Sequence, residues 1–207
     1  MNPAQELRVL PPETFFPSLR NRFLQALARS APGATSLRVQ LHRWRGVKIG
    51  DGVRIGLDVI FETAYPQWIA IGDRVQIGVR TLVLAHIHGL PPKQSELDGY
   101  VSVRIEDDAN IGPGVTILPH VTIGRGAVVT AGSVVSRSIP PLTLAQGNPA
   151  RPIATCQLPL RWDVTLKEFY RGLRPMTPKV FVPHPGPVSV PIAAPVSESA
   201  VAVEDPV

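Results

Sequence analysis

The chain has a single cysteine, Cys156, among its 207 residues. An intrachain disulfide and a Cys-based zinc site are therefore excluded, and a reducing, cytoplasmic setting is expected. Aromatic residues make up only 6%, which does not fit a helix-rich composition. No window approaches the ~20 consecutive apolar residues of a membrane span. Met1 to Pro12 carries Glu6 and Arg8 and lacks the apolar core of a signal peptide, so a soluble or peripheral protein is expected. What is abundant instead is proline and glycine, 23 and 17 residues, in a chain that is 44% apolar. One domain with many turns, plus appendages, suits that length.

The net charge of +5 is unevenly placed. Residues 1–48 hold eight Lys/Arg against two Asp/Glu, whereas residues 49–162 hold nine of each. A basic N-terminal segment suits an anionic lipid, an acidic substrate or a solvated helix face. Nucleic acid is not expected as a partner, because the segment has no recognisable reading motif.

A six-residue period dominates the middle of the chain. Bulky apolar anchors recur without a break at Ile105, Ile111, Ile117, Ile123, Val129 and Val135, and earlier at Ile49, Ile55, Phe61 and Ile71, Ile77, Val83. A small or β-branched residue follows four places later at Val53, Val59, Val75, Thr81, Ala109, Val115, Val121, Ala127 and Ser133. Helices repeat every 3.6 residues and half-buried strands every two, so neither explains this beat. Short strands separated by corners do, with two inward residues per hexad and Gly50, Gly56, Gly72, Gly78, Gly112 and Gly124 expected to supply the unusual corner angles.

These hexads resemble the hexapeptide-repeat family over residues 46–154. The resemblance implies an all-β fold, a left-handed parallel β-helix with three hexads per coil. Anchor spacing then locates a site. The step from Phe61 to Ile71 is ten residues and that from Val83 to Ile105 is twenty-two, so both insertions leave the helix at the same corner. Adjacent coils lie ~4.8 Å apart, which places Tyr65, Pro66 and Trp68 beside the root of the loop 86–103. Insertions on one face of a solenoid mark its functional side.

Outside the repeats, Phe16 to Ala31 and Leu37 to Trp44 read as short amphipathic helices with arginines on the polar side, within an N-terminal cap of residues 1–45. Capping the open coil is the preferred reading, and peripheral membrane contact is the alternative. Residues 155–174 form an extension with a short helix expected over Trp162 to Leu173. Residues 175–207 are Pro- and Val-rich and read as a disordered tail.

The long loop opens on His86, Ile87 and His88, with Ile87 expected inward and both histidines outward. An outward imidazole is suited to take a proton from an attacking hydroxyl. Here the chain resembles the maltose, galactoside and xenobiotic acetyltransferases. That resemblance implies transfer of an acetyl or other acyl group from acyl-CoA to the hydroxyl of a sugar or similar acceptor, with His86 as general base and His88 as fallback. Glu62, Glu96 or Asp98 are candidates to orient it.

Two stretches resemble the family's C-terminal signature: Ile111-Gly-Pro-Gly-Val-Thr-Ile-Leu-Pro-His-Val-Thr-Ile-Gly, and Ala131-Gly-Ser-Val-Val-Ser-Arg-Ser-Ile-Pro-Pro, which runs on to Gly147-Asn-Pro-Ala-Arg151. The resemblance implies acetyl-CoA as co-substrate, with Ala131 and Gly132 at the pantetheine, Ser136 as a polar contact, and Arg137 and Arg151 at the phosphates. It also implies a homotrimer whose grooves lie between subunits. Asp58, Tyr65, Trp68 and His120 are the acceptor-side candidates, His120 because it shares the phase of His86. No metal is expected.

The chain departs from these relatives at Asn110, where a Trp is usual, at Ala154, where an Arg is often found, and at His120, where a Gly is usual. Two alternatives stay open. A γ-type carbonic anhydrase of this fold would place its second ligand at Pro119 and the paired one at Gly124. A non-catalytic β-helix scaffold is the other.

Overall fold

The structure, a computed structural model, describes residues 14–87, 93–95 and 99–176. His88, Glu96, Asp98, the segment Met1 to Pro12 and the Pro-rich tail lie outside the described residues, apart from Pro175 and Met176. The hexads stack into a three-sided prism of parallel strands. The first face is Lys48–Ile49, Ile69–Ile71, Val103–Ile105 and Val121–Ile123. The second begins with Arg54–Ile55, Gln76–Ile77, Asn110–Ile111 and Val128–Val129, and the third is Ile60–Phe61, Leu82–Val83, Thr116–Ile117 and Val134–Val135. Anchors pair with anchors from coil to coil: Ile49 with Ile71, Ile55 with Ile77, and Phe61 with Val83.

The second inward position of each hexad is buried throughout, Thr81 and Ser133 included. Both hydroxyls are satisfied. Thr81 donates to the Gly78 carbonyl at 3.0 Å, and Ser133 Oγ accepts the Gly147 N–H at 3.1 Å. The core is therefore a continuous column of Ile, Val and Ala, and truncating an interior anchor such as Ile111 costs about 2–5 kcal/mol.

The corners are built differently from expectation. The residue after each anchor is not the one with unusual angles. Residues in the left-handed region come three places after the anchors: Gly52, Asp58, Arg74, Arg80, Asp108, Gly114, His120, Gly126 and Gly132. Glycine directly after the anchor is required by proximity instead. A Cβ on Gly56 would meet the backbone N of Val79 at 2.5 Å, and one on Gly112 the backbone N of Ala131 at 2.6 Å.

Two helices close the first coil, α1 (Phe15–Ser30) and α2 (Leu37–Trp44). The face of α1 that packs inward carries Asn21, Gln25 and Ala28, whereas the period alone suggested its bulky apolar stripe. Arginine is likewise not confined to the solvent side: Arg38 and Arg45 are buried and bind main-chain carbonyls of the first coil. At the far end the second face continues through Thr143–Gln146 and then, antiparallel, Arg151–Cys156 and Leu173–Pro175. The last helix, α3 (Leu166–Arg171), is shorter than expected. Thr165 starts it, its hydroxyl accepting the Glu168 N–H while the Glu168 carboxylate accepts the Thr165 N–H. No helix among the described residues is long and apolar enough to cross a membrane.

Candidate active site

The edge between the third and first faces carries both insertions, because Phe61 and Val83 end strands of the third face and Ile71 and Ile105 end strands of the first. The short insertion folds into a single 3₁₀ turn, Pro66–Trp68. Tyr65 stacks on Trp68 with ring centroids 4.2 Å apart and meets the His86 ring edge-on at 5.3 Å. The spacing argument thus places the two insertions side by side. Tyr65 and Trp68 are themselves buried, so they form the wall behind His86 rather than an open acceptor surface.

At the root of the long loop Ala85 takes the inward slot at 1% exposure, and Ile87 is 45% exposed. This corrects the expected inward position of Ile87. The inward alternation that starts at Val83 runs on to Ala85 and ends there. His86 keeps 30% of its side chain accessible, while the Glu62 side chain beneath it keeps 3%.

His86 Nδ1 lies 2.7 Å from Glu62 Oε2. The same carboxylate accepts the Ala85 N–H at 3.1 Å through Oε2 and the Ala64 N–H at 2.9 Å through Oε1. Burial alone disfavours a charge on Glu62. The Ala64 N–H, the His86 ring and the Ala85 N–H together outweigh it, holding the carboxyl below the usual carboxylate range. An ionised carboxylate only accepts, so the shared proton sits on His86 Nδ1 and the lone pair on Nε2. Among the described residues, the acidic side chain in contact with His86 is that of Glu62.

Behind Glu62 lies a buried guanidinium that the sequence reading missed. Arg45 is 2% exposed. It donates to the Glu62 carbonyl at 2.7 Å and the Phe61 carbonyl at 3.2 Å, to Gln25 Oε1 of α1, and lies 3.1 Å from His42 Nδ1. Burial pulls its pKa down to about 10 against the opposing pull of Glu62. Burial, with Arg45 and Arg38 nearby, pushes His42 to about 3, so His42 stays neutral and serves as a packing and acceptor group.

The other candidates fall on different edges. Asp58 turns the corner between the second and third faces at φ 56°, where Arg29 of α1 pairs with it at 2.6 Å. Asp tolerates that backbone region, so within one chain Asp58 ties the cap to the coil and does not reach His86. His120 occupies the third-to-first edge one coil beyond His86, at φ 62°, with its N–H on Ser102 Oγ at 3.3 Å. His86 takes no such angle, because its chain departs there, so their equal phase does not give equal corners.

Ala131 and Gly132 are exposed on the second-to-third edge, and no atom lies within 4 Å of a Cβ built on Gly132. A groove of about 360 Å³ runs along this edge and includes Gly78, Gly112, Pro113, Arg54 and Trp162 in its wall. Its Arg54 lies over the Trp162 ring at 4.1 Å. Trp162 therefore comes from the C-terminal extension to the place beside Asn110 where a strand Trp was missing. Ser136 and Arg137 are exposed past the last third-face strand, and Arg151 is exposed at the start of Arg151–Cys156. A second groove of about 470 Å³ along the first face, lined by Lys48, Arg104, Glu106 and Arg125, holds none of the residues singled out for chemistry.

A prism built of stacked hexads defines a class, the hexapeptide-repeat transferases. Residues 102–137 match the family model described as bacterial transferase hexapeptide (six repeats). YvoF of Bacillus subtilis, which carries the name of an acetyltransferase, is 31% identical over 68% of this chain and 79% of its own length. A similarly named protein of Schizosaccharomyces pombe, C18B11.09c, is 44% identical over 41% of this chain and 42% of its own length. The maltose O-acetyltransferase of Clostridium difficile 630 superposes with a TM-score of 0.50 at 26% identity, over 67% of this chain and 85% of that one. The chain belongs to the hexapeptide-repeat acetyltransferase family, and its fold is the left-handed parallel β-helix.

Proposed function

We propose that this protein moves an acetyl group from acetyl-CoA to a hydroxyl of a sugar or sugar-like acceptor, with His86 as general base and Glu62 as its positioning residue. The observation that carries the reading is the 2.7 Å contact between His86 Nδ1 and Glu62, which leaves Nε2 as the lone-pair nitrogen of a side chain that is 30% accessible. His86 Nε2 takes the acceptor hydroxyl's proton as the oxygen attacks the thioester carbonyl. The C–S bond then breaks, Nε2 returns the proton to the departing CoA sulfur, and the imidazole ends neutral. Glu62 stays ionised throughout and stabilises the imidazolium formed in between.

The donor is assigned to the second-to-third edge, with pantetheine along Ala131 and Gly132 and the phosphates near Arg137 and Arg151. Small residues let a ligand approach the backbone, and Arg forks onto phosphate oxygens. His86 and this groove lie on different edges of one prism, so a complete site needs two chains. This supports the homotrimer, with one chain's histidine facing its neighbour's groove. The maltose O-acetyltransferase likeness supports a sugar acceptor, and the lone Cys156 supports a reducing, cytoplasmic setting. The test is CoA thiol release from acetyl-CoA across a panel of sugars and other hydroxyl compounds. Turnover with a sugar that disappears in His86→Ala, with CoA binding retained, is expected. Undiminished turnover in that variant would sink the mechanism.

A further inference from the structure

The outward face of α1 is left unexplained by acyl transfer. Phe15, Phe16, Leu19, Phe23 and Leu27 lie on it, with Phe16 79% and Phe23 62% exposed. At 3.6 residues per turn these five fill an arc of roughly 120°. Arg22 borders the arc on one side and Arg20 on the other, both exposed, and the helix contains no acidic residue; Arg29, one turn beyond on the Arg22 side, is paired with Asp58. The opposite side, with Asn21, Gln25 and Ala28, is buried.

This orientation is fixed. Gln25 Nε2 donates to the Val59 carbonyl at 3.0 Å and Gln25 Oε1 accepts from Arg45, while the Asp58 N–H donates to the Arg29 carbonyl at 2.8 Å. Rotating the phenylalanines inward would break all three. The helix thus turns its apolar arc away from the coil by construction.

We propose that α1 is a docking helix for an anionic lipid surface, lying in the interface with Phe16, Phe23 and their neighbours in the acyl boundary and the flanking arginines among the headgroups. An apolar arc bordered on both sides by cations, with no carboxylate on the helix, is the pattern an interfacial helix requires. Charge also decides between occupants. A face-to-face pairing of two copies through this surface would bring together two helices of the same sign, whereas anionic headgroups complement a helix that carries arginines and no acidic residue.

The test uses the full chain without acetyl-CoA or acceptor, so it stands apart from the reading of His86. Co-sedimentation is measured with vesicles of phosphatidylcholine alone and of phosphatidylcholine with phosphatidylglycerol, alongside light-scattering mass. Wild type is expected to pellet with the anionic vesicles, more weakly with the neutral ones and less at high salt. Phe16→Ser/Phe23→Ser should lower partitioning on the order of a hundredfold at unchanged mass and unchanged melting. Arg20→Gln and Arg22→Gln should each lower it about fivefold. Wild type remaining in the supernatant would overturn the proposal, as would a double serine variant that pellets like wild type. A changed mass in that variant would overturn it too, by assigning the face to a second copy.

Discussion

Two edges of the same prism carry carboxylates, and they use them differently. On the edge between the first and second faces, Asp73 Oδ1 accepts the Asp51 N–H at 2.8 Å, and Asp107 Oδ1 accepts the Asp73 N–H at 2.9 Å. Glu106 continues the series by accepting the Arg125 N–H at 2.9 Å. Asp73 and Asp107 each tie a coil to the one before it and Glu106 ties its coil to the one after, and a Cβ on Gly50 or Gly72 would lie 2.2 Å from the Asp73 or Asp107 carboxylate. On the edge between the third and first faces, Glu62 also accepts main-chain N–H groups, yet one of its oxygens is turned to an imidazole. The difference comes from the insertions. Where the coil closes without extra residues the carboxylate is consumed as a strut, and where the chain leaves the coil room opens for His86 to be held at Nδ1 and left accessible elsewhere.

Substitutions at the two edges should therefore part company. The largest effect is expected at His86→Ala, with kcat falling about 10²–10⁴-fold and melting nearly unchanged. Next, Glu62→Gln should lower kcat on the order of a hundredfold, since the amide no longer enforces the Nδ1–H tautomer; steady-state rates would show it. Arg45→Met should cost about 3 kcal/mol of stability in denaturant titration, because it leaves the Phe61 and Glu62 carbonyls and Gln25 buried without their donor. Asp73→Ala, on the opposite edge, should cost under about 1 kcal/mol and leave kcat unchanged, its side chain being half exposed. A kcat loss at Asp73 comparable to that at Glu62 would erase the distinction between the edges.

The pH dependence separates the edges as well. Because Glu62 is held below the usual carboxylate range, its pairing contributes stability that is fully present above the unfolded carboxylate pKa. That stability is lost as pH falls through the lower folded value. The stability gap between wild type and Glu62→Gln should therefore be constant near neutral pH and close in acid, as followed by denaturant midpoints across pH. A gap that widened in acid would mean that Glu62 is neutral in the native protein.

Much of the scaffold was legible because it is periodic. Anchors at Ile105 through Val135 announce the coil, and counting the surplus residues after Phe61 and Val83 places both insertions on one edge before any coordinate is consulted. What period cannot supply is the side-chain choice made within that edge. Glu62, Glu96 and Asp98 were equal candidates in the sequence, and it takes the geometry to show Glu62 against the His86 ring, its carboxylate held by the Ala64 and Ala85 N–H groups. A signal was available for it: Glu62 directly follows the anchor Phe61, on the coil beside the one where His86 departs. Arg45 gave no signal, since its partners Gln25, Phe61 and Glu62 lie 16 to 20 residues away and depend on how the cap sits. The direction of α1 was equally hidden, because an amphipathic period does not say that the polar side will pack inward. Corner residues misled for a related reason: glycine after Ile looked like a conformational need, and it is a need for space against the next coil.

The coupling of His86 to Glu62 is tested most directly by a double-mutant cycle on kcat/KM for acetyl-CoA, with His86→Ala and Glu62→Gln made singly and together. If Glu62 acts through the imidazole, removing it from the His86→Ala background changes nothing further, and the double variant matches His86→Ala alone. Losses that add on the logarithmic scale would contradict the dyad and leave Glu62 a structural carboxylate like those of the opposite edge.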